Sequence, residues 1–144
     1  MTESLKVSGH CLCGAVSFKA EAAGHDVAVC HCGMCRRSAG GPMMFIDTEG
    51  TPVFEGADKI AVYQSSEWGE RGFCSVCGSN LFWKAAGKDQ YTFSAGALDD
   101  QSQLHLATEI YIEEKPAFYD FANDTLKQTG AEATAAFVAS TDKD

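Results

Sequence analysis

All seven cysteines of this 144-residue chain lie in three short clusters. The first cluster is Cys11 and Cys13, the central cluster is Cys30, Cys32 and Cys35, and the last cluster is Cys74 and Cys77. Structural zinc sites are closed by four thiolate or imidazole ligands, whereas catalytic sites use three protein ligands and leave a fourth position open. Seven clustered thiols divide into four and three. The sequence therefore predicts two zinc ions, one in a closed structural site and one in an open, reactive site.

The composition limits the cellular compartment and the classes of binding partner that we expect for this protein. The opening residues, MTESLKVSGHC, have no apolar segment of the secretory type, so we expect a cytoplasmic protein whose clustered thiols are metal ligands, not disulfides. No apolar run approaches the roughly 20 residues of a membrane span. The net charge of −9 does not indicate a positively charged surface of the kind that binds nucleic acid or an anionic membrane. We expect small-molecule partners, and Arg36 and Arg37 form the strongest basic patch for an anionic substrate. The sequence carries no signal for an oligomeric state.

Short strand-like segments with glycine-rich breaks predict an all-β fold of small antiparallel sheets in a single domain. The predicted strands are residues 6–11, 15–20, Asp26–Cys30, Met43–Ile46, Pro52–Glu55, Ile60–Gln64, Glu70–Phe73, Asn80–Lys84, Tyr91–Ala95 and Leu106–Glu113. Helical segments are predicted only at Met34–Ala39 and in the alanine-rich stretch Ala131–Val138.

Cysteine spacing leaves the division into two sites open. The last cluster, followed by Gly78, has the form of a rubredoxin-like knuckle. It could join the first cluster, leaving the contiguous central cluster as the open site, and we favour this division. Alternatively, Cys32 and Cys35 could join the last cluster in a zinc ribbon, leaving Cys30 with the first cluster.

Three further features bear on the candidate sites. His31 lies between two candidate ligands, and strand alternation points its ring away from the metal face, so we do not expect it to be a ligand. Trp68 lies in a predicted loop and is a candidate for lining a substrate pocket. The sequence Glu113-Glu114-Lys115 is interpreted as a solvated turn.

Four motifs carry a resemblance to a known family. In order they are G-H-C-L-C-G-A-V, C-H-C-G-M-C-R-R-S-A-G-G-P, R-G-F-C-S-V-C-G-S-N-L-F and I-Y-I-E-E-K-P. Together they resemble the glutathione-dependent formaldehyde-activating (GFA) family, to which centromere protein V is related. The resemblance covers roughly residues 5–120 with all seven cysteines in register.

The resemblance implies a β-tent, an all-β arrangement of small sheets around zinc. It implies that Cys11, Cys13, Cys74 and Cys77 hold the structural zinc, and that Cys30, Cys32 and Cys35 hold the catalytic zinc. The implied activity is that of a carbon–sulfur lyase, which condenses formaldehyde with glutathione to S-(hydroxymethyl)glutathione. The implied domain is residues 1–122, with 123–144 as a C-terminal extension that is a short helix or disordered.

Two departures from the family pattern bear on the substrate. Glu109 stands where many relatives have histidine, and Lys115–Tyr119 reads Lys-Pro-Ala-Phe-Tyr in place of a Lys-Ala-Pro-Trp-like segment. One alternative is a non-catalytic zinc module for protein interaction, which would need a fourth ligand such as His31 or Glu109 to close the second site. Another is a methionine sulfoxide reductase of the B type, which is disfavoured because every cysteine is already assigned to a zinc cluster.

Overall fold

The computed structural model of the protein describes residues 4–141, which form ten strands and two helices. The elements, in chain order, are β1 (Leu5–His10), β2 (Ser17–Ala22), β3 (Asp26–Cys30), α1 (Gly33–Ala39), β4 (Met43–Glu55), β5 (Ile60–Gln64), β6 (Gly69–Cys74), β7 (Asn80–Ala85), β8 (Tyr91–Ser94), β9 (His105–Ile110), β10 (Leu126–Lys127) and α2 (Gly130–Thr141). This content confirms the prediction of a mainly β fold. None of the helices in the described part is long and apolar enough to cross a membrane.

The chain groups into two compact units, which we describe separately. Unit 1 contains the described residues up to Val27 and Phe45–His105, and unit 2 contains Ala28–Met44 and the residues from Leu106 onward. The predicted boundary at residue 122 stays a prediction. Residues 142–144 of the predicted extension lie outside the described part of the chain.

Unit 1 is built on antiparallel strands in the order β1-β2-β4-β8-β7-β6-β5. Its core is aromatic, because inward positions of these strands carry phenylalanine. The rings of Phe18 and Phe93 stack with centroids 4.1 Å apart, and Phe82 meets Phe93 edge-on at 5.8 Å. Aromatic pairs of this geometry add to the free energy gained from burial. The core thus fixes the strand ends from which the first and last cysteine clusters project.

Unit 2 carries the short elements around the central cysteine cluster. Strand β9 lies between β3 and β10, and it pairs with β10 in parallel. Helix α1 begins directly after Cys32 and ends at Gly40, whose φ of 78° forms a left-handed cap. Thr129 precedes α2 and exchanges hydrogen bonds with Glu132 in the manner of a capping box.

The two largest corrections to the predicted strands concern β4 and β9, and β2 also lies two residues later than predicted, at Ser17–Ala22. The segments Met43–Ile46 and Pro52–Glu55 belong to one 13-residue strand, β4, because β2 pairs along it from Ser17 opposite Glu55 to Ala22 opposite Thr48.

The predicted strand Leu106–Glu113 was also too long. Strand β9 ends at Ile110 because Tyr111 adopts a left-handed φ of 56°, and a 3-10 helix follows at Ile112–Glu114. The acidic turn at Glu113 and Glu114 is exposed, as expected, but it is not merely solvated. Glu113 accepts hydrogen bonds from the N–H of Gly130, and Glu114 accepts one from the N–H of Gly33.

Candidate metal centres

The first and last cysteine clusters converge in unit 1 to form what we call the four-cysteine cluster: Cys11, Cys13, Cys74 and Cys77. Cys11 and Cys13 follow β1, Cys74 ends β6, and Cys77 lies in the turn before β7. The four sulfurs lie within 4.8 Å of one another, with Cys13 Sγ 3.7 Å from Cys11 Sγ and 3.8 Å from Cys74 Sγ. A tetrahedron of sulfurs at the Zn–S distance of about 2.3 Å has an edge of about 3.8 Å. The donor set therefore fits a tetrahedral zinc ion.

Backbone N–H groups of the two knuckles point at these sulfurs. The N–H of Val16 donates to Cys11 Sγ at 3.3 Å, and those of Val76 and Cys77 each donate to Cys74 Sγ at 3.4 Å. Hydrogen bonds to a thiolate favour the charged form, which is the form that binds metal. The knuckles thus prepare the sulfurs for a cation.

The central cluster stays together in unit 2, and we call it the three-cysteine cluster: Cys30, Cys32 and Cys35. Cys30 ends β3, Cys32 caps α1, and Cys35 lies in the first turn of that helix, where its N–H donates to Cys32 Sγ at 3.4 Å. All three residues are buried, and their sulfurs lie within 4.8 Å of one another. The structure therefore brings the cysteines together in the division that the family resemblance implies, and not as a zinc ribbon.

The hydrogen bonds among the three thiols favour the binding of a soft cation at this cluster. Hydrogen bonds from the thiols of Cys30 and Cys35 hold the pKa of Cys32 well below its ordinary value, whereas the hydrogen bond with Cys32 raises the pKa of Cys30. Three sulfurs in contact and out of water repel one another as thiolates, so only one ionises readily unless a cation balances the charge. Soft thiolate ligands select zinc over hard cations. The cluster therefore fits zinc, with three protein ligands.

His31 is 0 % exposed and has both ring nitrogens occupied. Nδ1 lies 2.7 Å from the hydroxyl of Tyr119, and Nε2 lies 2.8 Å from Oε1 of Glu109. The other carboxylate oxygen of Glu109 accepts a hydrogen bond from Thr125 at 2.5 Å. The two candidates for a fourth ligand are thus committed to each other and to neighbouring side chains, which disfavours a closed second site.

Glu109 was named from the sequence as a possible fourth ligand, but its role as the buried partner of His31 was not predicted. Burial alone would raise its pKa, but hydrogen bonds from Thr125 and His31 and the charge of Lys127 together hold the pKa below its ordinary value. The signal in the sequence was a single carboxylate in the short segment Leu106-Ala107-Thr108-Glu109-Ile110, whose other residues carry no charge. A charged residue is almost never fully buried unless it is paired.

The three predicted substrate-binding residues differ in their surroundings. Arg36 and Arg37 lie on α1, in the same unit as the three-cysteine cluster. Arg36 is half-buried and its Nε donates to the carbonyl of His31 at 2.9 Å, whereas Arg37 is exposed. Trp68 lies in unit 1, in the loop between β5 and β6, and is 61 % exposed. Its role in a pocket stays a prediction.

The model of one protein family, described as the glutathione-dependent formaldehyde-activating enzyme, matches residues 6–114, a span that includes all seven cysteines. The chain belongs to the GFA family. A Schizosaccharomyces pombe protein named as an uncharacterized lyase is 32 % identical over 118 residues, covering 81 % of this chain and 86 % of the relative. A Halomonas elongata protein, provisionally named a glutathione-dependent formaldehyde-activating enzyme, is 36 % identical over 85 residues, covering 53 % of this chain and 54 % of the relative.

A solved structure supports the fold. A Rhodobacter sphaeroides protein with a crystal structure matches with a TM-score of 0.56 at 23 % identity, covering 64 % of this chain and 87 % of the other. At this identity the likeness concerns the fold alone. Family membership and the two cysteine clusters together make this a GFA chain whose residues could hold metal at two sites.

Proposed function

We propose that the protein is a zinc-dependent carbon–sulfur lyase of the GFA type. It condenses formaldehyde, or another small aldehyde, with glutathione or a related thiol to give an S-hydroxymethyl-type adduct. Family membership and the names of the two relatives support this proposal. The observation that carries it is the three-cysteine cluster, because its three buried sulfurs have no fourth protein ligand among the described residues that could hold a metal with them.

The two clusters have different roles in this proposal. The four-cysteine cluster is structural, since four sulfurs complete a tetrahedron. A zinc ion bound by Cys30, Cys32 and Cys35 would supply Lewis acidity at an open coordination position, which favours the thiolate form of a substrate thiol and polarises an aldehyde. In the reaction the substrate sulfur adds to the carbonyl carbon, the C=O π bond breaks, and the thiol proton ends on the aldehyde oxygen. The step needs no oxidant or reductant.

Arg36 and Arg37 bind the substrate in this proposal. The Nε of Arg36 is held by the carbonyl of His31, which orients the guanidinium and leaves its terminal N–H groups to meet a carboxylate. Arg37 is exposed on the same helix and supplies a second positive charge. A thiol with carboxylates, such as glutathione, matches this pair in a chain whose net charge is −9. Trp68 remains a candidate contact.

The test measures adduct formation directly. Exchange between free and adduct ¹³C-formaldehyde in the presence of glutathione is followed by NMR, and the spontaneous rate without protein is the baseline. We expect the zinc-loaded protein to accelerate the exchange and Cys30→Ser to return it to the baseline. No acceleration by protein that carries two zinc ions would refute the lyase proposal and favour the non-catalytic module.

The arginine assignment is tested by the same exchange. A hydrogen bond to a charged group contributes about 1.5–3 kcal/mol, so Arg36→Ala should raise the KM for glutathione about 10–100-fold while kcat changes little. Arg36→Lys is the matched control that keeps the charge and loses the fork geometry. If Arg36→Ala and Arg37→Ala both leave KM unchanged with zinc retained, neither arginine binds the substrate.

A further inference from the structure

Every polar group of His31 is bound to another part of unit 2. Its backbone N–H donates to the carbonyl of Ile110 at 3.1 Å, and its backbone carbonyl accepts a hydrogen bond from Nε of Arg36 at 2.9 Å. Its ring meets the hydroxyl of Tyr119 at 2.7 Å and the carboxylate of Glu109 at 2.8 Å. A residue that lies between two metal-binding cysteines is thereby fixed at four points. Neither of its ring nitrogens is free to bind a metal.

The two partners of the ring are themselves anchored. Glu109 accepts from Thr125, and Lys127 Nζ lies 3.6 Å from the same carboxylate oxygen. Tyr119 is held through its backbone carbonyl by Lys115, which pairs with Asp120 at 2.8 Å. The imidazole thus connects the end of β3 to Glu109 and Tyr119, which follow His31 by 78 and 88 residues.

These bonds fix the orientation of the ring. Because Glu109 is held as an anion by its donors, it accepts the Nε2–H of His31, and Nδ1 shares its hydrogen bond with the hydroxyl of Tyr119. His31 is the single residue between Cys30, which ends β3, and Cys32, which caps α1, so fixing its ring and backbone fixes the chain between these two cysteines. Loss of either partner would leave a buried polar atom without a hydrogen bond, which is costly to the local structure.

We propose that His31, clamped between Glu109 and Tyr119, is the positioning residue of the three-cysteine cluster, and that it couples metal binding at this cluster to the order of residues 109–127. The clamp brings the sulfurs of Cys30 and Cys32 together before the metal binds. Conversely, a bound metal restrains Cys30 and Cys32, and through His31 it restrains Glu109 and Tyr119. The inference rests on the proposed metal binding by the three-cysteine cluster but not on the aldehyde chemistry.

Cobalt(II) is the probe, because its thiolate charge-transfer and d–d absorption reports each site and its geometry. The test variants are Glu109→Gln, which keeps the shape and loses the charge, and Tyr119→Phe, which removes a single hydroxyl. Changes in residues that orient a metal site typically cost 10–100-fold in metal affinity, so we expect about this loss at the three-cysteine cluster in Glu109→Gln, with an altered d–d band. The four-cysteine cluster of the same molecule is the internal reference and should keep its affinity. Tyr119→Phe should show a smaller loss at the same site.

Hydrogen exchange tests the coupling. In the wild-type protein, metal loading of the three-cysteine cluster should slow exchange in residues 109–127, and in Glu109→Gln this slowing should be largely lost. The matched control is His105→Gln, which removes a histidine–carboxylate pair of similar length, 2.9 Å to Asp26, from the surface of unit 1. This control should leave both cobalt affinities and the exchange of residues 109–127 unchanged.

The outcomes separate the inference from the proposed function. A wild-type protein that binds only one cobalt would overturn both, because the three-cysteine cluster would not be a metal site. If Glu109→Gln and Tyr119→Phe each bind two cobalt ions with the same affinities as the wild type, the clamp is overturned and the lyase proposal stands. Equal loss at both clusters in the two variants would also overturn it, because the network would then support the fold in general.

Discussion

Gly56 makes a close approach to the segment that carries the four-cysteine cluster. Its φ is 77°, and a Cβ added there would lie 1.9 Å from the carbonyl oxygen of Ala15. Because that atom belongs to the backbone, it can move away only with its neighbours Gly14 and Val16, and Gly14 is joined to Cys13. Ordinary van der Waals contact begins near 3.4 Å, so the carbonyl would have to move by about 1.5 Å. A single methyl group at this position should therefore disturb both the fold and the cluster.

The magnitude follows from two contributions. The left-handed backbone costs an L-residue about 1–2 kcal/mol, and overpacking of a tight site costs about 1–3 kcal/mol. Gly56→Ala should therefore lower the free energy of unfolding by about 2–5 kcal/mol. Gly50→Ala is a matched control, because Gly50 has a φ of 69° and no atom within 4 Å of the added Cβ. It should show the backbone cost alone, about 1–2 kcal/mol.

Urea unfolding of the zinc-loaded proteins, followed by tryptophan fluorescence, measures both values. The affinity of the four-cysteine cluster, measured by competition with a chelator, should fall in Gly56→Ala and not in Gly50→Ala. If the two variants unfold with free energies within 0.5 kcal/mol of each other (roughly the error of additivity between sites), the steric argument is wrong. Equal metal affinities would show that Ala15 moves without disturbing Cys13.

Two further predictions concern the core of unit 1 and the start of α2. Phe93→Ala removes a fully buried ring that stacks on Phe18, so it should lower the free energy of unfolding in urea by about 3–5 kcal/mol. A decrease below about 1 kcal/mol would show that the surrounding side chains fill the cavity freely. The hydrogen bonds from Thr129 hold the pKa of Glu132 below its ordinary value. The carboxylate therefore stabilises the helix cap fully at pH values above its unfolded pKa of about 4.3. This stabilisation is lost as the pH falls through the lower pKa of the folded state. The amide of Thr129, followed by NMR, should titrate with that lowered pKa in the wild type and not in Glu132→Gln; a wild-type amide that does not respond to pH would contradict the capping box.

The two cysteine clusters were the most predictable part of the molecule, because cysteine spacing is a local property of a sequence. Cys30, Cys32 and Cys35 can meet only within a short turn, and two cysteines separated by two residues form a knuckle wherever the chain allows it. Strands β3 and β5 were also predicted with their observed bounds, since each is a short run of branched or apolar residues flanked by turn formers. Partner choice between clusters was not readable from spacing and needed either the resemblance or the structure.

What the sequence concealed was set by contacts between distant residues. Strand β4 continues past Gly50 because β2 pairs with it on both sides of that glycine, from Thr48 to Glu55, which no local pattern records. The two-residue strand β10 exists only through its pairing with β9. His31 and Glu109 are 78 residues apart, so neither residue alone indicates the pair. The sequence offered Glu109 only as a possible metal ligand, and its partner His31 became apparent in the structure.

The two cysteine clusters differ in the length of chain that must close to form them, and this difference sets an order in time. Cys30, Cys32 and Cys35 leave the ribosome almost together, whereas Cys13 and Cys74 are 61 residues apart. At about 5–20 residues per second, the partner of Cys13 follows it by about 3–12 s. Closing the longer loop also costs about 2 kcal/mol more in chain entropy than closing the short one. We expect the nascent chain to gather the three-cysteine cluster first, but this cluster to reach its full metal affinity only after Glu109 and Tyr119 have emerged and bound His31.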